Sequence, residues 1–245
     1  MGREIRGAFT PRNEDYILFS ADYSQIELRI IASLSDDPAM IEDFNADRDI
    51  HAATAAKVFG INLDEVTDDM RRKSKMVNFG IVYGISPFGL AQRLSIPRSE
   101  AKTLIDEYFK AYAGIERYMN DVVEQATKDG FVTTILGRRR YLRDINSKNA
   151  TQRSAAERNA INAPIQGSAA DMIKLAMGSI HRDLEEEGLQ SKMILQVHDE
   201  LVFDVYRPEQ ERVRDLVVER MQSAMSLKVP LKVQFGFGET WLQAH

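Results

Sequence analysis

Along this chain the spacing of apolar and polar positions changes period several times, and each change predicts an element. YILFSAD (Tyr16 to Asp22) is a strand-like run that ends in an acid. Ser24 then reads as a helix N-cap, with Glu27 three residues on and Ile26, Ile30 and Leu34 at helical spacing. Pro38 opens another short helix. Asp49 to Gly60, Thr67 to about Tyr83, Pro97 to Ala111 and Ile115 to Lys128 continue the helical series, so the stretch from about 46 to 130 reads as nearly all α. Phe131 to Leu142 suggests a hairpin around Gly137. A helical tract from Ala150 to Glu187 contains Pro164, which predicts a kink or a split. MILQV and ELVFDV, separated by His198 and Asp199, form a hairpin signature with a polar tip. Pro208 begins a helix to about Met225, and LKVQFGFG reads as a final strand. This order predicts an α+β body with a helical insertion rather than alternating βαβ units.

Composition adds limits. With 44% hydrophobic and 28% charged residues over 245 positions, the chain suits one large globular domain or two small ones. It has no cysteine, which excludes disulfides and thiolate metal sites. No apolar run approaches a membrane span, so a cytoplasmic location with no membrane partner is the simplest expectation. The formal net charge of −5 argues weakly against nucleic-acid binding. Basic residues nevertheless cluster at Arg71-Arg72-Lys73 and at Arg138-Arg139-Arg140 with Arg143, so a local positive groove stays compatible with the total.

Three constellations carry candidate chemistry. Asp22 at a strand end and Asp199 at a hairpin tip, with Glu200 beside it, are hard oxygen donors of the kind Mg²⁺ takes while keeping sites for water and phosphate. By spacing alone, unrelated turn acids are the commoner explanation. Arg71, Lys75, Phe79 and Tyr83 are each four apart, one helical stripe of two cations followed by two rings. Such a stripe can grip a triphosphate and stack on a base, or it can be an ordinary amphipathic face. Arg158, Asn162 and Gln166, again four apart, present donors suited to base edges and sugar-phosphate oxygens, or form a plain polar face. The Arg138 to Arg143 cluster is most often a solvated charge run.

Taken together these segments resemble the polymerase module of family A DNA polymerases. DYSQIELR (Asp22 to Arg29), RRKSKMVNFGIVYG (Arg71 to Gly84) and QVHDE (Gln196 to Glu200) resemble the family's three ordered motifs, and ERNAINAPIQGSAAD and DIHAATA resemble its template-primer and nucleotide-contacting segments. The resemblance implies a right-hand palm, an antiparallel sheet backed by helices, at 1–45 and 149–245, with mostly helical fingers at 46–148. It implies two Mg²⁺ ions, with Mn²⁺ as an acceptable substitute, held by Asp22, Asp199 and the backbone carbonyl of Tyr23. Glu200 would be an accessory carboxylate. Arg71 and Lys75 would bind the triphosphate, with Lys75 also placed to protonate pyrophosphate. Gln25 and His51 would add contacts near the incoming nucleotide, and Phe79 would pack on it. Tyr83 would stack at the templating position, and Glu27 would exclude ribonucleotides by crowding the 2′ position. Arg158, Asn162, Gln166 and His198 would contact primer-template DNA.

The acid at Glu27 favours DNA over RNA synthesis in this resemblance, and Phe79 in place of Tyr implies poor use of dideoxynucleotides. Family members carry several hundred residues before this point, so the expected chain lacks thumb and exonuclease domains and proofreading. Three readings stay open: a template-directed polymerase acting on dNTPs and primer-template, a folded palm-fingers fragment that binds them but turns over weakly, and an RNA polymerase, which Glu27 disfavours.

Overall fold

Tyr16–Tyr23 forms strand β1 in the computed structural model, which describes residues 4–245; residues 1–3 of the expected first palm segment lie outside the described residues. There follow helices α1 (Ile26–Ser35), α2 (Pro38–Asn45), α3 (Ile50–Phe59), α4 (Asp68–Val82), α5 (Pro87–Leu94), α6 (Arg98–Ala111) and α7 (Ala113–Asp129). Next come the hairpin β2 (Phe131–Thr133) and β3 (Arg139–Tyr141), the long helix α8 (Ala150–Glu186), and the hairpin β4 (Lys192–Val197) and β5 (Glu200–Tyr206). Helix α9 (Gln210–Ser223), strand β6 (Val233–Gly238) and the short helix α10 (Trp241–Ala244) complete the order. The α+β expectation holds. Contacts divide the described residues into two units, one of 4–26, 169–226 and 231–245, the other of 27–168 and 227–230.

The first unit holds an antiparallel sheet in the order β4-β5-β1-β6. Alternation assigns its two faces. Phe19 pairs with Phe203 and Phe237, building an aromatic face on which Phe19 also meets Phe235. The other face carries Leu18, Ser20 and Asp22 opposite Asp204, Val202 and Glu200. Leu18 and Val202 are buried there with Trp241 and Ala244 of α10. Central β5 is buried along almost its whole length, whereas edge strand β4 alternates exposed and half-buried. Of the three carboxylates on this second face, Asp204 is answered by Arg12 at 2.5 Å.

The second unit is helical apart from β2 and β3, as the periodicity predicts. Its helices are capped by side chains of the usual types: Asp37 accepts from Met40 N–H, Asp49 from His51 and Ala52 N–H, and Thr67 from Met70 N–H. Asp37 also accepts from Gly114 N–H at 2.8 Å, and a Cβ at Gly114 would sit 2.8 Å from the Asp37 backbone, so this junction requires glycine. Buried Asp43 takes Arg48 at 2.9 Å, Lys57 at 2.6 Å and the Tyr112 hydroxyl at 3.2 Å.

Two local expectations are corrected. Helix α8 is not split at Pro164 but runs unbroken across it. Proline removes one backbone donor, and the other hydrogen bonds of so long a helix bridge that loss. Helix α1 starts at Ile26, two residues beyond Ser24, because Gln25 takes a left-handed φ of 56° that no helix start accommodates.

Candidate active site

The acidic constellation is built where β1 ends against the β4–β5 hairpin. His198 and Asp199 form the two-residue loop, with Val197 paired to Glu200. His198 adopts a φ of 55°, a conformation that costs a non-glycine residue about 1–2 kcal/mol. Gln196 Nε2 donates to the His198 carbonyl at 2.6 Å, and Tyr23 N–H donates to the Asp199 carbonyl at 3.2 Å. That second bond ties the tip to the end of β1. His198 is exposed and Asp199 half-buried, as expected for a polar tip.

Asp22 and Glu200 are register partners, so their side chains share a face. Asp22 holds its proton up to about pH 7, because burial disfavours its charge and Asp199 and Glu200 repel it. Burial also raises Asp199. Oδ1 of Asp22 is buried with no hydrogen-bond partner among the described residues. Unpaired carboxylate oxygen, hard donors and mutual repulsion together fit a divalent cation. Among the described residues no group of three or more His, Cys, Asp or Glu could hold a metal ion. Asp22 and Asp199 are the candidate carboxylate ligands, a sparse set of the sort Mg²⁺ accepts when water and phosphate complete the shell.

Glu200 differs from its neighbours. It is 3% exposed, and Oε1 accepts from Ser20 Oγ at 2.5 Å and Trp241 Nε1 at 2.6 Å. Ser20, Trp241, Arg6 and His245 are residues that sequence reasoning missed. Ser20 carried a faint signal, lying two positions before Asp22 and so on its face of the strand. Arg6, Ser20, Asp22 and His245 line a cleft of ≈ 770 Å³.

In the other unit, α4 presents the cation and aromatic stripe on its solvent side. Arg71, Lys75 and Tyr83 are exposed and Phe79 half-buried, while Ser74, Val77, Asn78 and Ile81 face inward. Arg71 is held by Asp49 at 2.7 Å, a partner at the N-cap of α3 that the sequence reading did not single out. Lys75 has no carboxylate partner among the described residues. His51 is buried, packs on Phe79 at 5.7 Å and meets Asn78 at 3.1 Å. Burial, with Lys75 and Arg71 adding to it, depresses its pKa to about 4, so it is neutral at pH 7. Asn78 also reaches Thr54 at 3.0 Å, so α3 fixes the rotation of α4 and hence the direction of the stripe. At the far end the Tyr83 hydroxyl donates to Glu27 Oε2 at 2.7 Å. Glu27 thus serves Tyr83 from the first turn of α1.

Arg158 is exposed, donates to Ser154 at 3.1 Å and packs against Gly84. Gly84 has a φ of 67°, and a Cβ there would lie 2.9 Å from Arg158 Cγ. Asn162 has a buried Oδ1 with no partner among the described residues, and Gln166 is exposed. Gln25 is half-buried in its left-handed conformation between β1 and α1.

An antiparallel sheet presenting paired acids at a hairpin tip, with a separate helix presenting cations and rings, defines the class of palm-and-fingers polymerases. A family model described as DNA polymerase family A matches residues 1–243, and the chain belongs to that family. It is 53% identical over 243 residues to DNA polymerase I of Bacillus caldotenax, covering 99% of this chain and 28% of that protein. It is 51% identical to DNA polymerase I of Bacillus subtilis (strain 168) with the same coverage. A solved structure, the POL domain of Pol1 from M. smegmatis in complex with DNA primer-template and dNTP, superposes with a TM-score of 0.95 at 49% identity, covering 99% of this chain and 43% of that one. The chain thus spans little more than a quarter of the length of the curated relatives it matches.

Proposed function

We propose that the chain is the core of a template-directed DNA polymerase that adds deoxynucleotides to a primer 3′-hydroxyl by two-metal phosphoryl transfer. The observation that carries this reading is Asp22, whose unpartnered buried oxygen and proton held to about pH 7 make a site that a dication would complete. Family A polymerases are metal-dependent in general. Here Asp22, Asp199 and the Tyr23 carbonyl would hold two Mg²⁺ ions, which supply a more acidic 3′-hydroxyl and neutralise charge on the triphosphate.

The remaining work belongs to side chains. Lys75, exposed and without a carboxylate partner among the described residues, binds triphosphate oxygens and gives a proton to departing pyrophosphate. Arg71, aimed by Asp49, adds a second cationic contact. Phe79, backed by His51, offers a face for the nucleotide to pack on, with Gln25 and His51 supporting the same nucleotide. Tyr83 stacks at the templating position, and its bond to Glu27 holds that carboxylate where it crowds a 2′-hydroxyl. Arg158, Asn162, Gln166 and His198 grip primer-template DNA. In this reading 1–45 and 149–245 serve as palm and 46–148 as fingers.

The test is primer extension with Mg²⁺ and four dNTPs. Template-dependent extension that disappears in Asp199→Ala is the expected result. A second reading is favoured by the 28% coverage of relatives: a folded module that binds dNTP or primer-template and turns over weakly by itself. Binding without extension at large enzyme excess selects it.

A further inference from the structure

Glu200 opens β5 one residue after Asp199 and directly across from Asp22, yet its carboxylate turns inward. Besides the bonds from Ser20 and Trp241, His245 Nδ1 lies 3.2 Å from the same Oε1. Arg6 Nη2 lies 3.4 Å from Oε2, and the Arg6 guanidinium stacks 4.7 Å from the Trp241 ring. A carboxylate oxygen has two lone-pair sites, and the hydroxyl and indole donors fill those of Oε1. Ser20 and Trp241 are buried at 2% and 6% exposure. A cation that recruited Oε1 would strip both donors of their partner where water cannot readily replace it, and one that approached Oε2 would meet the Arg6 guanidinium, 3.4 Å from that oxygen.

Building on the polymerase reading, we propose that Ser20, Arg6, Trp241 and His245 form a socket that fixes Glu200 as a standing negative charge beside Asp22. Glu200 is then a positioning residue for the cation site and not one of its ligands. A fixed charge attracts dications without taking a coordination position, which stays open to water and phosphate oxygen. The socket also anchors the first residue of β5, and with it the adjoining Asp199, against the β1 residue that pairs with it. Helix α10, outside all of the family-like motifs, thereby becomes part of the catalytic apparatus.

Mn²⁺ is the probe, its binding to the 245-residue chain read from loss of the free-ion electron paramagnetic resonance signal. Asp22→Asn, the control for the underlying reading, weakens Mn²⁺ binding by about 30-fold or more. Glu200→Gln, Trp241→Phe and Ser20→Ala each weaken it by about 3–10-fold, the size expected from a nearby charge that is neutralised or loosened. In the Glu200→Gln background, Trp241→Phe adds less than about twofold, because both changes act through one carboxylate. Ser20→Ala carries the same test if Trp241→Phe lowers the melting temperature enough to populate unfolded chain. In primer extension the socket variants lower kcat and leave the KM for dNTP unchanged. A Glu200→Gln loss as complete as that of Asp22→Asn makes Glu200 a ligand and overturns the proposal. Full additivity of Glu200→Gln with Trp241→Phe, or unchanged Mn²⁺ binding in all socket variants, overturns it as well. Unchanged binding in Asp22→Asn instead overturns the cation site itself.

Discussion

The acid-bearing hairpin and the α4 stripe assign function to opposite kinds of structure. At the hairpin, charges are half-buried, mutually repulsive and held by strained backbone, with His198 at a φ of 55° and Asp22 protonated up to about pH 7. On α4, cations and rings stand on the outer side of a regular capped helix whose inner side does the packing. The first region carries a destabilising repulsion that a bound cation would relieve. The second separates the two tasks by helix face, so its chemistry is nearly free of folding cost. One fold thus contains both a site in conflict with its own stability and a site independent of it.

That contrast can be broken by experiment. On the α4 side the largest expected effect is from Lys75→Ala, which lowers kcat/KM for dNTP by about 10²-fold in steady-state primer extension, the size of a charged phosphate contact made in the transition state. Its melting temperature stays within about 1 °C, since an exposed surface substitution rarely moves stability; a drop of several degrees would break the proposed separation. Next, Glu27→Ala raises the rate of ribonucleotide insertion relative to deoxynucleotide by about tenfold or more. Tyr83→Phe, which deletes the 2.7 Å bond and keeps the ring, raises it by about threefold. Competition between dNTP and rNTP on one primer measures both.

Effects on stability are smaller and concern the acid pair. A folded Asp22 that keeps its proton up to about pH 7, against an ordinary aspartate, binds more protons than the unfolded chain between about pH 4 and pH 7. Stability of the metal-free chain is therefore greatest below about pH 4 for this group and falls as pH rises through about 7. The fall is about 1 kcal/mol once solvent exposure is discounted. Urea denaturation across this range, with and without saturating Mg²⁺, checks it: Mg²⁺ flattens the profile. Asp22→Asn flattens it too, and at pH 8 leaves the metal-free variant more stable than the parent while primer extension is lost. A less stable Asp22→Asn would show that Asp22 belongs with the structural acids.

The same contrast explains what could be read from the chain. The helices of the second unit were legible because periodicity and stop signals are local, as in the stretches beginning at Asp49 and Thr67 and the glycine stop at Gly60. The stripe at four-residue spacing needed no more than helix geometry. The β4–β5 hairpin was legible as well, through its apolar arms and polar tip. Glu200's partners were not, because Arg6, Ser20, Trp241 and His245 converge only after β1 and β5 pair, and no local pattern records that event. The split offered as one outcome at Pro164 did not occur for a related reason: the cost of proline is local, whereas the helix that absorbs it extends from Ala150 to Glu186. Asp49 was read as a motif residue, and its ion pair with Arg71 depends on the packing of α3 on α4.

Strand β1 has a consequence in time. Phe19 lies early in the chain, but its sheet partners Phe203 and Phe237 lie near the other end. During synthesis at about 5–20 residues per second, β1 waits roughly 10–40 s for them. Closing so long a loop is entropically slow, whereas the helices between can form from neighbouring contacts. The nascent chain therefore acquires helix α4 first and its acid pair last. Until then β1 is an unpaired apolar strand, the segment most in need of a chaperone.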